Sequence, residues 1–207
     1  MKNTLTLGFG TMMLSVVLFG FLAYIVARTH YFARWAFALV TWIPFMIPGI
    51  ILGYMFFPLR TPVLQFLYGG KILLVLIVAL TTMTFAVQIL KSSLLQLGGD
   101  LEEAGRVMDG SFSFTLRRIV VPLMLPTAAV VAVMVFGSVN RQVSSIVLLT
   151  TAQSEPLSVL QLGYLMSEDF SAASVVGTIL VGLGLTLAIA VRKLGYRFGA
   201  QYLEGRL

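Results

Sequence analysis

Apolar runs of about twenty residues or more recur five times in this chain, over about 4–27, 35–57, 71–95, 124–149 and 171–190. A helix rising about 1.5 Å per residue crosses a hydrocarbon core of roughly 30 Å in about twenty residues. The chain therefore reads as an all-α integral membrane protein with about five transmembrane helices, in a single transmembrane domain over 1–207. Composition agrees: hydrophobic residues make up 58% and charged residues 11%, against roughly 25% charged in soluble domains. The first run is too long for a signal peptide, and no small-residue cleavage site closes it. Without cysteine the chain has no disulfide framework, thiol chemistry or Cys-based metal site. A net charge of +6 in such a chain marks cytoplasmic loops rather than nucleic acid, and no basic–aromatic pattern for RNA appears.

One stretch breaks the pattern. GGDLEEAGRVMDGSFSFTLRRIVVPLMLP, from Gly98 to Pro126, gathers Asp100, Glu102, Glu103, Arg106, Asp109, Arg117 and Arg118. Each charge costs roughly 2.5–3.5 kcal/mol in hydrocarbon on the mildest scale, so the stretch belongs in water or against another protein. It reads as two short helices. Asp100 caps the first, with Glu103 three residues on as a variant capping box. Gly110 and Ser111 break it, and a second helix starts at Ser113 and stops at Pro122.

Two places inside the apolar runs are candidates for a pathway. Pro44 and Pro48 interrupt the second run, and each removes a backbone hydrogen bond. Either a discontinuous helix lines a pathway there, or a kinked helix packs through a close-contact face of Gly49 and Gly53. Asn140, Arg141 and Gln142 put a polar cluster into the fourth run. Either the span ends there, or the cluster forms a pathway mouth, the preferred reading for an ionisable residue at membrane depth. Lys91, near the end of the third run, snorkels to the interface.

Basic residues set the orientation. Placing the 28–34 loop, the central stretch and the C-terminus together collects Arg28, Arg34, Lys91, Arg106, Arg117, Arg118, Arg192, Lys193, Arg197 and Arg206 on one side. Lys2, Arg60, Lys71 and Arg141 remain on the other. The central stretch is then cytoplasmic, and the acidic 155–169 loop lies outside. Five spans leave the N-terminus outside, from which we expect an upstream helix or half that is missing or supplied by another chain.

The central stretch resembles the EAA loop of permease subunits of ABC importers. In that pattern a Glu-Ala-Ala triplet, three residues and a glycine precede an aliphatic-x-x-Pro ending. Glu103-Ala104-Gly105 stands for the triplet, and Ser111, Arg117, Arg118, Ile119, Pro122, Leu123 and Pro126 fall in register. Gly105 replaces the second alanine, and Asp109 takes the usual glycine position, with Gly110 one residue late. The segments 3–28, 43–53 and 141–159 resemble the branch that includes ferric-iron importer permeases, although a glutamate is expected there where Gln142 stands.

The resemblance implies a type I ABC importer permease-like fold in a bacterial inner (plasma) membrane, with a cytoplasmic helical coupling loop over about 98–122. It implies that Glu103 and the Asp109–Gly110 turn dock on a separate cytoplasmic ABC ATPase. Arg117, Arg118 and Pro122 would join that loop to the fourth span. It further implies a second permease half or copy and a periplasmic or extracellular solute-binding protein. ATP and magnesium are expected on the partner, and no cofactor on this chain. The cargo would be a small solute, ferric iron among the candidates.

Other functions find fewer residues. The GGK at 69–71 is followed by Ile72 and lacks the upstream glycine of a phosphate loop, so the chain is a transport subunit without its own ATPase site. Its single histidine, His30, lies in a basic loop, and no HExxH or paired intramembrane aspartates offer enzyme or metal chemistry. A secondary transporter working without an ATPase is the alternative, but it calls for buried acidic residues. All eight carboxylates here sit in loops or at span ends.

Overall fold

The computed structural model describes residues 1–29, 32, 34–60, 70–97 and 112–204, the side chains of 60 and 194–204 excepted. The described chain is almost entirely helical. Four helices are long and apolar enough to cross a membrane: α1 (Lys2–Arg28), α4 (Lys71–Gln96), α5 (Phe112–Val139) and α7 (Phe170–Glu204, apolar over Phe170–Lys193). Between α1 and α4 lies a broken pair, α2 (Arg34–Met46) and α3 (Gly49–Leu59), and the short α6 (Leu157–Met166) precedes α7.

Helix α4 is the axis of the bundle. In its most apolar stretch 56% of residues are buried, against 28% for α1 and α5 and 11% for α7. Ile77, Val78, Ala86 and Val87 have essentially no exposed surface. Two apolar clusters stack along it. Phe19, Ala23, Leu90, Leu94, Val120 and Val131 form one, towards the Gln96 end. Leu7, Leu52, Leu74, Val139, Ile146 and Leu149 form the other, towards the Lys71 end. Outward-facing Phe21, Met13, Val175 and Val181 are exposed, as lipid-facing positions of spanning helices should be.

Polar side chains tie the helices where the packing is apolar. Ser15 Oγ meets Thr82 Oγ1 at 3.5 Å between α1 and α4. At one end of α1, Asn3 donates to the carbonyls of Gln153 and Glu155, and Thr4 Oγ1 accepts from the Leu157 N–H at 2.8 Å. At the other, Arg28 donates to the Leu94 carbonyl at 2.8 Å.

The second span is not one straight helix. Its two halves meet at 108°, as a broken span or a re-entrant loop. The two prolines act differently. Pro44 sits in the first turn of a short helical segment, Ile43–Met46, where its missing N–H costs nothing. Pro48 makes the break: Ile47 before it is extended (φ −93°, ψ 123°), as the steric demand of a following proline requires. Just upstream, the turn at Thr41 is pinned to the axis, because Thr84 Oγ1 donates to the Thr41 carbonyl at 2.7 Å in a buried setting. Replacing Thr84 by valine leaves that carbonyl unpaired and should cost about 1–2 kcal/mol, whereas Thr84→Ser should be nearly silent. Thermal unfolding in detergent reads the difference, and equal stability of the two variants would contradict the pinning.

The fourth span differs from expectation at both ends. It was expected over 124–149 and instead runs Phe112–Val139. Pro122 does not stop the helix, and Pro126 also lies within it. A widened π-turn over Leu116–Val120 immediately precedes Pro122. Such a turn loosens the backbone where the ring would meet the Arg118 carbonyl. At the other end the N–H groups of Arg141 and Gln142 both turn back to the Ser138 carbonyl, each at 3.0 Å. The chain then continues to Thr150 as turns rather than helix. Three consecutive polar residues favour that exit over continuing through hydrocarbon.

Candidate functional site

The expected site residues fall into two groups, one at each end of the bundle. At the Gln96 end, Glu103, Ala104, Gly105, Asp109 and Gly110 lie outside the described residues. The two ends of that segment are described. Leu97, just past α4, and Leu116, early in α5, both pack against the same apolar cluster. Ser93 and Thr127 hydroxyls lie 2.8 Å apart between the two helices. The two helices that flank the 98–111 segment are thus joined by packing and by a hydrogen bond at this end.

Arg117 and Arg118 were expected in a coupling loop ending near 122. They stand instead on the first turns of α5, both exposed, with the Arg118 guanidinium 5.6 Å from the Phe114 ring centroid. Pro122 lies inside the helix.

At the Lys71 end the structure brings together the two pathway candidates. The break at Pro48 places α3 directly on the turns that follow α5. A Cβ on Gly49 would lie 2.6 Å from Ser144 Oγ, and one on Gly53 would overlap the Ser145 carbonyl oxygen. Gln142 Oε1 accepts from Ser145 Oγ at 3.4 Å, so the polar cluster sits beside the break. Gly49 and Gly53 do form a close-contact face, as one sequence reading had it, but against a non-helical turn. Non-helical backbone at membrane depth is tolerated where protein buries it or a watery cavity borders it. Here Ser145, Ile146 and Leu149 are fully buried.

Asn140 and Arg141 face the other way. With Gly137, Gln161, Gly177 and Leu180 they line a groove of about 410 Å³ between α5, α6 and α7. Asn140 Nδ2 donates to the Leu180 carbonyl at 3.3 Å, and its Oδ1 is shielded without a partner among the described residues. Gln161 Nε2 donates to the Ala173 carbonyl at 3.2 Å.

A third polar surface went unnoticed as a unit. Gln88, Lys91, Ser92 and Gln96 share one face of α4 and line an open hollow of about 420 Å³, continued past Ser93 to Thr127 of α5. Their spacing of three and four residues was the available signal. Among the described residues, no three His, Asp or Glu side chains converge as a metal site.

No family model matches the sequence. It is 27% identical over 165 residues to the ferric transport system permease protein FbpB of Actinobacillus pleuropneumoniae, covering 79% of this chain and 24% of the relative. The chain thus spans about a quarter of that relative's length. Chains from two crystal forms of the inward-facing MetNI methionine ABC transporter share its fold. The native form has TM-score 0.71 and 19% identity, covering 95% of this chain and 91% of the other. The selenomethionine-soaked form has TM-score 0.71 and 23% identity, with 95% and 93% covered. The resemblance to ABC importer permeases therefore holds in sequence and in fold. The architecture is that of a type I ABC importer permease, and four of its helices, or five spans with the bent pair, are long and apolar enough to cross a membrane.

Proposed function

We propose that this chain is a permease subunit of an ABC importer, forming part of a solute pathway and taking its energy from a separate cytoplasmic ATPase. The observation that carries the reading is the common footing of the two helices that flank the 98–111 segment, with Leu97 and Leu116 seated on one apolar cluster. A lever must be rigid at its base to transmit a domain movement. Glu103 and the Asp109–Gly110 turn dock on the ATPase. Closure of two ATPase subunits on ATP and magnesium then moves the segment, and α4 and α5 move with it. The pathway alternates between inward and outward opening as this unit shifts against a second permease half or copy. A solute-binding protein outside delivers the cargo. The name of the sequence relative makes ferric iron a candidate cargo.

The test is to isolate the tagged chain from its native membrane in mild detergent and identify what accompanies it. An ATP-binding subunit in stoichiometric amount is the expected result. A chain that emerges alone or only with itself, yet still supports uptake in vesicles without ATP, would replace this reading with a secondary transporter.

A further inference from the structure

We infer that the open face of α5 is the cargo-facing wall of the pathway, and that the cargo passing it carries negative charge. The inference rests on the importer reading above and names its substrate class. On α5 the residues Thr127, Val130, Met134 and Ser138 recur every three or four positions, Arg141 follows in the turn just past the helix, and none of them is buried. They form one stripe along the helix. Thr127 borders the polar hollow of α4 that holds Gln88, Ser92 and Gln96, with Lys91 beside it. Arg141 and Asn140 border the second groove, opposite Gln161. The stripe thus joins two polar hollows whose near edges, Thr127 and Gly137, lie about 15 Å apart along the helix at about 1.5 Å per residue. Val130 and Met134 form an apolar waist between them, 54% and 46% exposed. A cation stands at each end of the stripe, Lys91 at one hollow and Arg141 at the other.

Among the described residues the charge on this face has one sign: Lys91 and Arg141 are the ionisable groups that line it, and no carboxylate lines either hollow. Gln142 beside Arg141 is uncharged, and Asp169 precedes Leu180 on α7 by about 17 Å of helix at about 1.5 Å per residue. That exceeds the screening length of roughly 8 Å at physiological salt. Cations with no counter-charge beside them among the described residues attract anions and repel cations along their path. A bare ferric ion is the wrong cargo for such a wall. A carboxylate, an oxyanion or a metal held in an anionic chelate fits it.

The natural absence of cysteine makes the face directly testable. Ser138→Cys and Thr127→Cys are placed singly in the full chain in membrane vesicles. Each is treated with the anionic reagent sulfonatoethyl methanethiosulfonate and the cationic trimethylammonioethyl methanethiosulfonate. After division by the rates for a free thiol, the anionic reagent should react on the order of ten-fold faster at both positions. The preference at Ser138→Cys should vanish with Arg141→Gln and survive Arg141→Lys, which guards against mere misfolding. Lys91→Gln should do the same for Thr127→Cys. Failure of both reagents at both positions would show that the face meets lipid and overturn the pathway assignment. Equal rates, or a faster cationic reagent, would overturn the anionic cargo. An ATPase that still co-isolates with the chain in either case would leave the importer reading standing.

Discussion

Glu103→Lys should abolish ATP-driven uptake, by at least about 100-fold, while the protein still inserts in the membrane at its normal level. The reasoning begins with the charge-dense stretch between two apolar helices, where Glu103 stands at the head of the EAA-like triplet. If that carboxylate meets the ATPase, reversing its sign replaces an attraction with a repulsion at a desolvated contact. Single truncations of such contacts commonly cost about 2–4 kcal/mol, and about 2.7 kcal/mol already corresponds to a hundred-fold loss. The helix-capping role of Glu103 predicts a much smaller effect, since a cap is worth about 1 kcal/mol. Glu103→Gln separates the two. It keeps the reach of a capping side chain and removes the charge, so docking predicts a large loss of uptake and capping a slight one. The assay is ATP-dependent uptake in proteoliposomes with the partner subunits, with ATP hydrolysis measured in parallel. Full uptake by a correctly inserted Glu103→Lys protein would remove Glu103 from the coupling mechanism.

The elements legible in advance were those governed by local chemistry. Length and apolarity were enough for α1, α4 and α7. The break in the second span was visible too, because a proline within an apolar run must disturb it, and Pro48 does. What failed was the expectation that Pro122 ends its helix. The chain does break just before Pro44, between Val40 and Ile43, whereas Pro122 follows a π-turn that makes room for it, a circumstance that cannot be read from the residue type. The end of the fourth span was misplaced for a related reason. Hydrophobicity resumes at Val143–Leu149 after the polar triplet, so an apolar count runs on to 149, but these residues bury themselves in turns rather than helix. The meeting of α3 with those turns joins residues far apart in the chain, and a local pattern carries no signal of that. The polar face of α4 was within reach: Lys91 is legible near the end of its run, but its alignment with Gln88, Ser92 and Gln96 shows only when the helix is treated as a surface.

Gly53→Ala should destabilise the protein by about 3 kcal/mol, at the upper end of the range for overpacking a tight contact. Gly49→Ala, four residues away on the same helix, should cost less than about 1 kcal/mol. Both glycines face the 144–145 turn, and each lacks room for a methyl group. They differ in what the methyl would strike. At Gly49 the nearest atom is Ser144 Oγ, at 2.6 Å, and a serine hydroxyl can rotate to another rotamer at little cost. At Gly53 it is the backbone carbonyl of Ser145. That oxygen cannot move without shifting a turn whose neighbours Ile146 and Leu149 are fully buried. Dense interiors transmit such a shift rather than absorb it. The strain would reach Gln142 through its hydrogen bond with Ser145, and from there the Asn140–Arg141 edge of the outer groove. Gly53→Ala should therefore lower uptake as well as stability, whereas Gly49→Ala should leave both nearly unchanged. Thermal unfolding of the two variants in the same detergent provides the comparison. If Gly53→Ala proves no less stable than Gly49→Ala, the broken helix does not rest on the turn at Ser145, and the break and the polar cluster act as separate features.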